Sequence, residues 1–156
     1  QSAYCHVGIC FMDYETNEFY EWSSKVKDNG PCLTKLNENS NNNFFYYVTL
    51  DISDEKRKEL NNLILKLNRD YKKYGIKFNK NIFDALQLGN VLPCFYDSGD
   101  NINLMCSQLV AQTYAIADII SLDRSINKYT PKTFSKSKDA KWKIPTDNFH
   151  IICVYY

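Results

Sequence analysis

Few side chains in this sequence carry the chemistry of a covalent catalyst, and Cys106 is the best placed of them. In Leu104-Met105-Cys106-Ser107-Gln108-Leu109-Val110-Ala111 it stands where an apolar-periodic helix is predicted to begin. At a helix N-terminus the unpaired backbone N–H groups and the helix dipole favour negative charge, so a thiol there is readily turned into a thiolate. A thiolate nucleophile needs an imidazole within hydrogen-bond reach, and usually a third polar group that fixes the imidazole's tautomer. The chain offers two histidines, His6 and His150. His6 lies in the strand-like Tyr4-Cys5-His6-Val7-Gly8-Ile9, and Glu21 in Tyr20-Glu21-Trp22-Ser23 is a carboxylate that a hairpin would bring beside it. Each residue also has a plainer reading: a small buried cysteine, a satisfied strand histidine and a solvated glutamate.

The elements that must position these groups follow from periodicity. Residues 4–12 alternate, with Cys5, Val7, Ile9 and Phe11 on one face and His6, Gly8 and Cys10 on the other, which predicts a strand with His6 away from the main apolar stripe. The polar run Asp13-Tyr14-Glu15-Thr16-Asn17-Glu18 reads as a turn and Phe19-Tyr20-Glu21-Trp22-Ser23 as the returning strand. With an even number of loop residues, His6 and Glu21 share a face. Residues 25–43, with Asn29-Gly30-Pro31 and the Asn-rich 37–43, read as a loop excursion. Residues 44–50 (FFYYVTL) predict a third strand. Ser53 is placed to cap a long amphipathic helix in which Leu60, Leu63, Ile64, Leu67, Tyr71 and Tyr74 recur at helical spacing, with Gly75 as its stop. Residues 77–103 read as an irregular segment delivering the chain to Cys106. The second helix is predicted from about 103 to 120, then a polar connection and charged loop, then a final strand over 148–156 that carries His150.

The bulk composition narrows the classes. The length of 156 residues fits a single domain spanning 1–156. Lys and Arg number 19 against 18 Asp and Glu, a formal charge of +1, which argues against a nucleic-acid partner; Lys132, Lys136, Lys138, Lys141 and Lys143 read as a solvated loop. Six cysteines without a CxxC pair favour free thiols in a reducing compartment, cytoplasmic or virion-associated. Cys5, His6 and Cys10 make a poor metal set because alternation puts Cys5 on the opposite face. No metal or cofactor is expected, and no run is long and apolar enough for a transmembrane helix. Abundant Asn, Lys, Ile and Tyr match AT-rich coding sequence, as in large DNA viruses or protists.

The order His6-Val7-Gly8-Ile9, then Tyr20-Glu21-Trp22-Ser23, then Cys106-Ser107-Gln108-Leu109-Val110-Ala111, then Tyr129-Thr130-Pro131-Lys132-Thr133-Phe134, resembles the circularly permuted papain-like cysteine hydrolases. These NlpC-type families include the YiiX-type amidases, their poxvirus relatives and, more distantly, lecithin:retinol acyltransferase. The resemblance implies an α+β fold in which a small antiparallel sheet packs against the catalytic-cysteine helix and a second long helix. It implies Cys106 as nucleophile, His6 as general base and acid, and Glu21 as the orienting third member. The reaction would be attack on an amide or ester carbonyl of a peptide, amide or lipid-ester substrate. The Pro131 segment matches a structural turn. Relatives place a further strand before the histidine; with five residues before His6, that strand is expected to be absent from this chain or replaced. The rival triad uses His150 in the unpermuted order, but Phe149-His150-Ile151-Ile152 lacks the glycine that follows His6 by two positions. The rival function is a catalytically silent structural or binding module, for example within a virion, for which 12 tyrosines supply contact area.

Overall fold

The computed structural model describes residues 6–25, 30–36, 44–74, 106–134, 140–146 and 150–153, with backbone alone considered at 44–47 and 150–153. The expectations for residues 1–5, the Asn-rich 37–43 and the irregular 77–103 lie outside the described residues. Among the described residues the architecture is α+β: antiparallel strands and two α-helices.

Strands β1 (Ile9–Asp13) and β2 (Glu18–Lys25) form the predicted hairpin, with Ile9 opposite Trp22 and Asp13 opposite Glu18. Four loop residues separate the paired ends, the even number that keeps facing residues on one side. Asp13 builds the turn: its carboxylate accepts the Glu15 N–H at 3.0 Å and the Thr16 hydroxyl at 3.0 Å. Asn17 closes it at φ 55°, a left-handed conformation that Asn tolerates better than most residues.

A third strand follows where a loop was expected. β3 (Gly30–Lys35) pairs antiparallel with β2, placing Glu21 opposite Thr34 and Ser23 opposite Cys32. The misleading signal is Asn29-Gly30-Pro31: the glycine (φ 133°) and proline stand at the start of an edge strand, where a proline's missing N–H removes no ladder bond. The predicted strand over 44–50 is shorter and pairs elsewhere. β4 (Phe44–Tyr47) joins β7 (His150–Cys153), while Leu50 makes an isolated bridge to Thr146.

Helix α1 (Asp54–Tyr74) begins as its residues dictate, its expected stop at Gly75 lying outside the described residues. The Ser53 hydroxyl accepts the Lys56 N–H at 3.2 Å, Asp54 and Glu55 lie at the positive end of the dipole, and Lys72 and Lys73 at the negative end. Leu60, Ile64, Leu67 and Tyr71 are buried, and Leu63 packs at the margin. Helix α2 (Cys106–Ile116) stops four residues before the predicted end. Asp118 takes φ 57° and the Ile119 N–H reaches back to the Tyr114 carbonyl at 2.8 Å, a Schellman-type closure with Asp in the position usually held by glycine. Ile120 therefore leaves the helix for β5 (Ile120–Ser121), which pairs with β6 (Lys141–Trp142). Part of the expected charged loop is thus a strand, and Lys143 is ion-paired with Asp118 rather than merely solvated.

The core ties the hairpin to both helices. Trp22 is fully buried: its ring stacks on Tyr71 of α1 with centroids 5.9 Å apart, and its indole N–H donates to the Thr113 hydroxyl of α2 at 3.1 Å. Stacked aromatic pairs contribute about 0.5–1.5 kcal/mol beyond area burial. One residue away from Glu21, Trp22 fixes the strand that carries the candidate carboxylate.

Candidate active site

Cys106 opens α2 as described, the predicted start near 103 lying outside the described residues, and is 7% exposed. The helix start is held from below. The Ser107 hydroxyl donates to the Tyr129 carbonyl at 2.7 Å, and Tyr129, Thr133 and Phe134 are buried around a 3₁₀ turn over Pro131–Phe134. The Tyr129–Phe134 segment is therefore a structural support for the cysteine helix.

His6 lies just before β1, and its imidazole joins the two other candidates. Its Nε2 is hydrogen-bonded to Glu21 Oε1 at 2.7 Å, and the Cys106 thiol is near enough to couple to the ionisation of the ring. With Nε2 committed to Glu21, Nδ1 is the ring nitrogen left for sulfur. Three residues far apart in the chain thus form one line of contacts, Cys106 to His6 to Glu21. His150 lies in β7 opposite Tyr47, in the strand pair formed with β4 rather than in the β1–β2–β3 sheet.

Proton affinities follow from these contacts. The hydrogen bond with Cys106, then that with Glu21, raises His6 from 6.5 to about 9 against the opposing effect of burial. Burial pushes the Cys106 thiol up, but the His6 hydrogen bond and the backbone N–H groups of Val7 and Ser107, aimed at sulfur, outweigh it and lower the pKa. Burial likewise opposes ionisation of Glu21, and hydrogen bonds from His6 and Lys25 override it, holding the carboxyl at about 2. These contacts favour the thiolate, imidazolium and carboxylate forms over their neutral counterparts.

Two further residues shape the site around Glu21. Lys25 pairs with the second carboxylate oxygen, Nζ to Glu21 Oε2 at 2.8 Å; the period-2 alternation of β2, which puts residues four apart on one face, is the signal that points to it. The other is Gly8. A Cβ there would stand 2.5 Å from Glu21 Oε1 and 2.7 Å from its Cγ, so the carboxylate reaches His6 only by lying across a residue without a side chain. Because both Glu21 oxygens are engaged, the carboxylate has no free direction in which to yield. Gly8→Ala is therefore expected to displace it, destabilising the fold by about 1–3 kcal/mol in denaturant unfolding. The His6 titration, followed by NMR, should fall from about 9 towards 6.5. An unmoved His6 titration would count against the close approach as the reason for the glycine.

Among the described residues no group of three or more His, Cys, Asp or Glu could hold a metal ion, and Cys10 and Cys106 are in no disulfide. No described helix is long and apolar enough to cross a membrane. Comparison with protein-family models, with curated proteins and with solved structures finds no match for this chain.

Proposed function

We propose that the chain is a cysteine-dependent hydrolase or acyltransferase of circularly permuted papain-like type, acting on an amide or ester carbonyl. The observation that supports it most is a single imidazole, His6, hydrogen-bonded to a carboxylate at 2.7 Å and coupled in its ionisation to the Cys106 thiol. That is the arrangement of an activated nucleophile with an oriented base, and the sequence order His, Glu, Cys is the permuted one.

In this reading the Cys106 sulfur bonds to the carbonyl carbon while the carbonyl π pair moves to oxygen. The Cys106 N–H, at the start of α2 as described, would be one donor for that oxyanion. As the intermediate collapses, the bond to the amine or alkoxide leaving group breaks and that group takes the proton from His6. Neutral His6 then removes a proton from water, or from another acceptor, which attacks the thioester and releases Cys106. Glu21 keeps the imidazole oriented and stabilises its charged form. Peptide, other amide and lipid-ester substrates all satisfy this chemistry.

The test is capture of the acyl-enzyme. Incubation with an activated acyl ester such as p-nitrophenyl acetate is expected to leave a thioester on Cys106, identified by peptide mass mapping and absent from the His6→Ala variant. Rapid alkylation of Cys106 without any acyl adduct would instead favour a silent module that retains the residues.

A further inference from the structure

Glu21 has two oxygens, and only one faces His6. Oε1 accepts from His6 at 2.7 Å, while Oε2 lies 2.8 Å from Lys25 Nζ. The ammonium is itself seated: it donates to the Thr34 hydroxyl at 3.0 Å, and Thr34 stands directly opposite Glu21 on β3. The Lys25 side chain is 19% exposed and that of Glu21 14%, so this pair is better shielded than the surface ion pairs of the hairpin, such as Lys35 with Glu18 at 50% and 35%. A carboxylate held at one oxygen alone swings about its terminal bond; one gripped at both, over the bare backbone of Gly8, has a single orientation.

We propose that Lys25 is a positioning residue of this site, seated on Thr34 and holding Oε2 of Glu21 so that Oε1 remains on His6. The inference rests on the reading of Cys106, His6 and Glu21 as the reacting set. Lys25 touches neither sulfur nor substrate and acts through Glu21. The β3 strand thereby gains a role: it supplies the hydroxyl that fixes the lysine. The titratable groups set around Glu21 are His6 and Cys10 from the β1 side and Lys25 from β2.

The experiment is a double-mutant cycle read by site-resolved iodoacetamide alkylation of Cys106 across pH. Lys25→Met keeps the length of the side chain and removes its charge; it is expected to slow Cys106 at neutral pH by about tenfold, the scale of one charge-assisted hydrogen bond. In the Glu21→Gln background the same change should add no further slowing, and Lys25→Arg should retain most of the parent rate. A parent-like rate in Lys25→Met, or equal slowing in both backgrounds, overturns the proposal. The Glu21 carboxyl titration, followed by carbon NMR, gives a readout independent of thiol reactivity. In Lys25→Met it should climb from about 2 towards 4.5, and an unmoved titration overturns the proposal. If parent Cys106 reacts no faster than the other thiols, the catalytic reading fails by itself, while the carboxyl titration still decides whether Lys25 holds Glu21.

Discussion

At pH 7 Cys106 is expected to be alkylated ahead of the other five cysteines, and replacing His6 by alanine is expected to abolish that lead. An ordinary protein thiol near pKa 8.5 is only about 3% thiolate at neutral pH. Cys106 departs from this because His6 and the Val7 and Ser107 N–H groups stabilise its anion. The intrinsic nucleophilicity of a thiolate falls as its pKa falls, with a Brønsted slope of about 0.4–0.5, so the gain in thiolate is partly offset. A net advantage of about tenfold over a free thiol is the result to look for with iodoacetamide and peptide-resolved mass spectrometry. The loss in His6→Ala should exceed that advantage. With the imidazolium gone, the burial that opposes ionisation of Cys106 is no longer outweighed by its main partner. His150→Ala should react at the parent rate, because the imidazole coupled to the Cys106 thiol is that of His6. Equal rates for the parent and His6→Ala would remove His6 from the mechanism.

The contrast between α1 and α2 shows what a single sequence does and does not encode. Helix α1 announces its start through Ser53 and its buried stripe through Leu60, Ile64, Leu67 and Tyr71, because capping and amphipathic periodicity are local properties. Helix α2 announces that Cys106 lies near its start but not where it ends. Ile119 and Ile120 continue an apolar pattern after the backbone has turned at Asp118, since both stay buried on the far side of that turn. Burial persists through a change of secondary structure, so hydrophobic periodicity is blind to the break. β3 is hidden for the opposite reason. Its Gly-Pro opening is turn chemistry locally, and only pairing with β2 makes it a strand.

The same distinction separates the site residues. Cys106, His6 and Glu21 are visible because their side chains are chemically distinctive and the hairpin parity is countable from the loop. Lys25 and Gly8 are not visible in that way. Their importance lies in where the Glu21 carboxylate ends up, 2.8 Å from one and across the α-carbon of the other. Residue types point to the candidate groups, whereas the residues that aim them depend on side-chain paths that only coordinates supply.

The alkaline side of the pH profile should separate alkylation from acyl transfer. Alkylation needs only the thiolate, so its rate at Cys106 should rise from low pH and stay on a plateau as His6 loses its proton. Acyl transfer from an alkyl ester or an amide has a poor leaving group, which must collect a proton from imidazolium as the bond breaks. That rate should share the same acid limb and then fall above about 9, where His6 deprotonates, by about tenfold for each further pH unit. The thermodynamic sign agrees. His6 is raised from 6.5 to about 9 in the fold, so its contribution to stability is complete below 6.5 and is lost as pH climbs through about 9. Glu21 is lowered from 4.5 to about 2, so its contribution is present above 4.5 and lost as pH falls through about 2. The intact charge pattern therefore holds between the acid limb and about 9, and an alkyl-ester rate that stays level to pH 10 would show that His6 is not the proton donor.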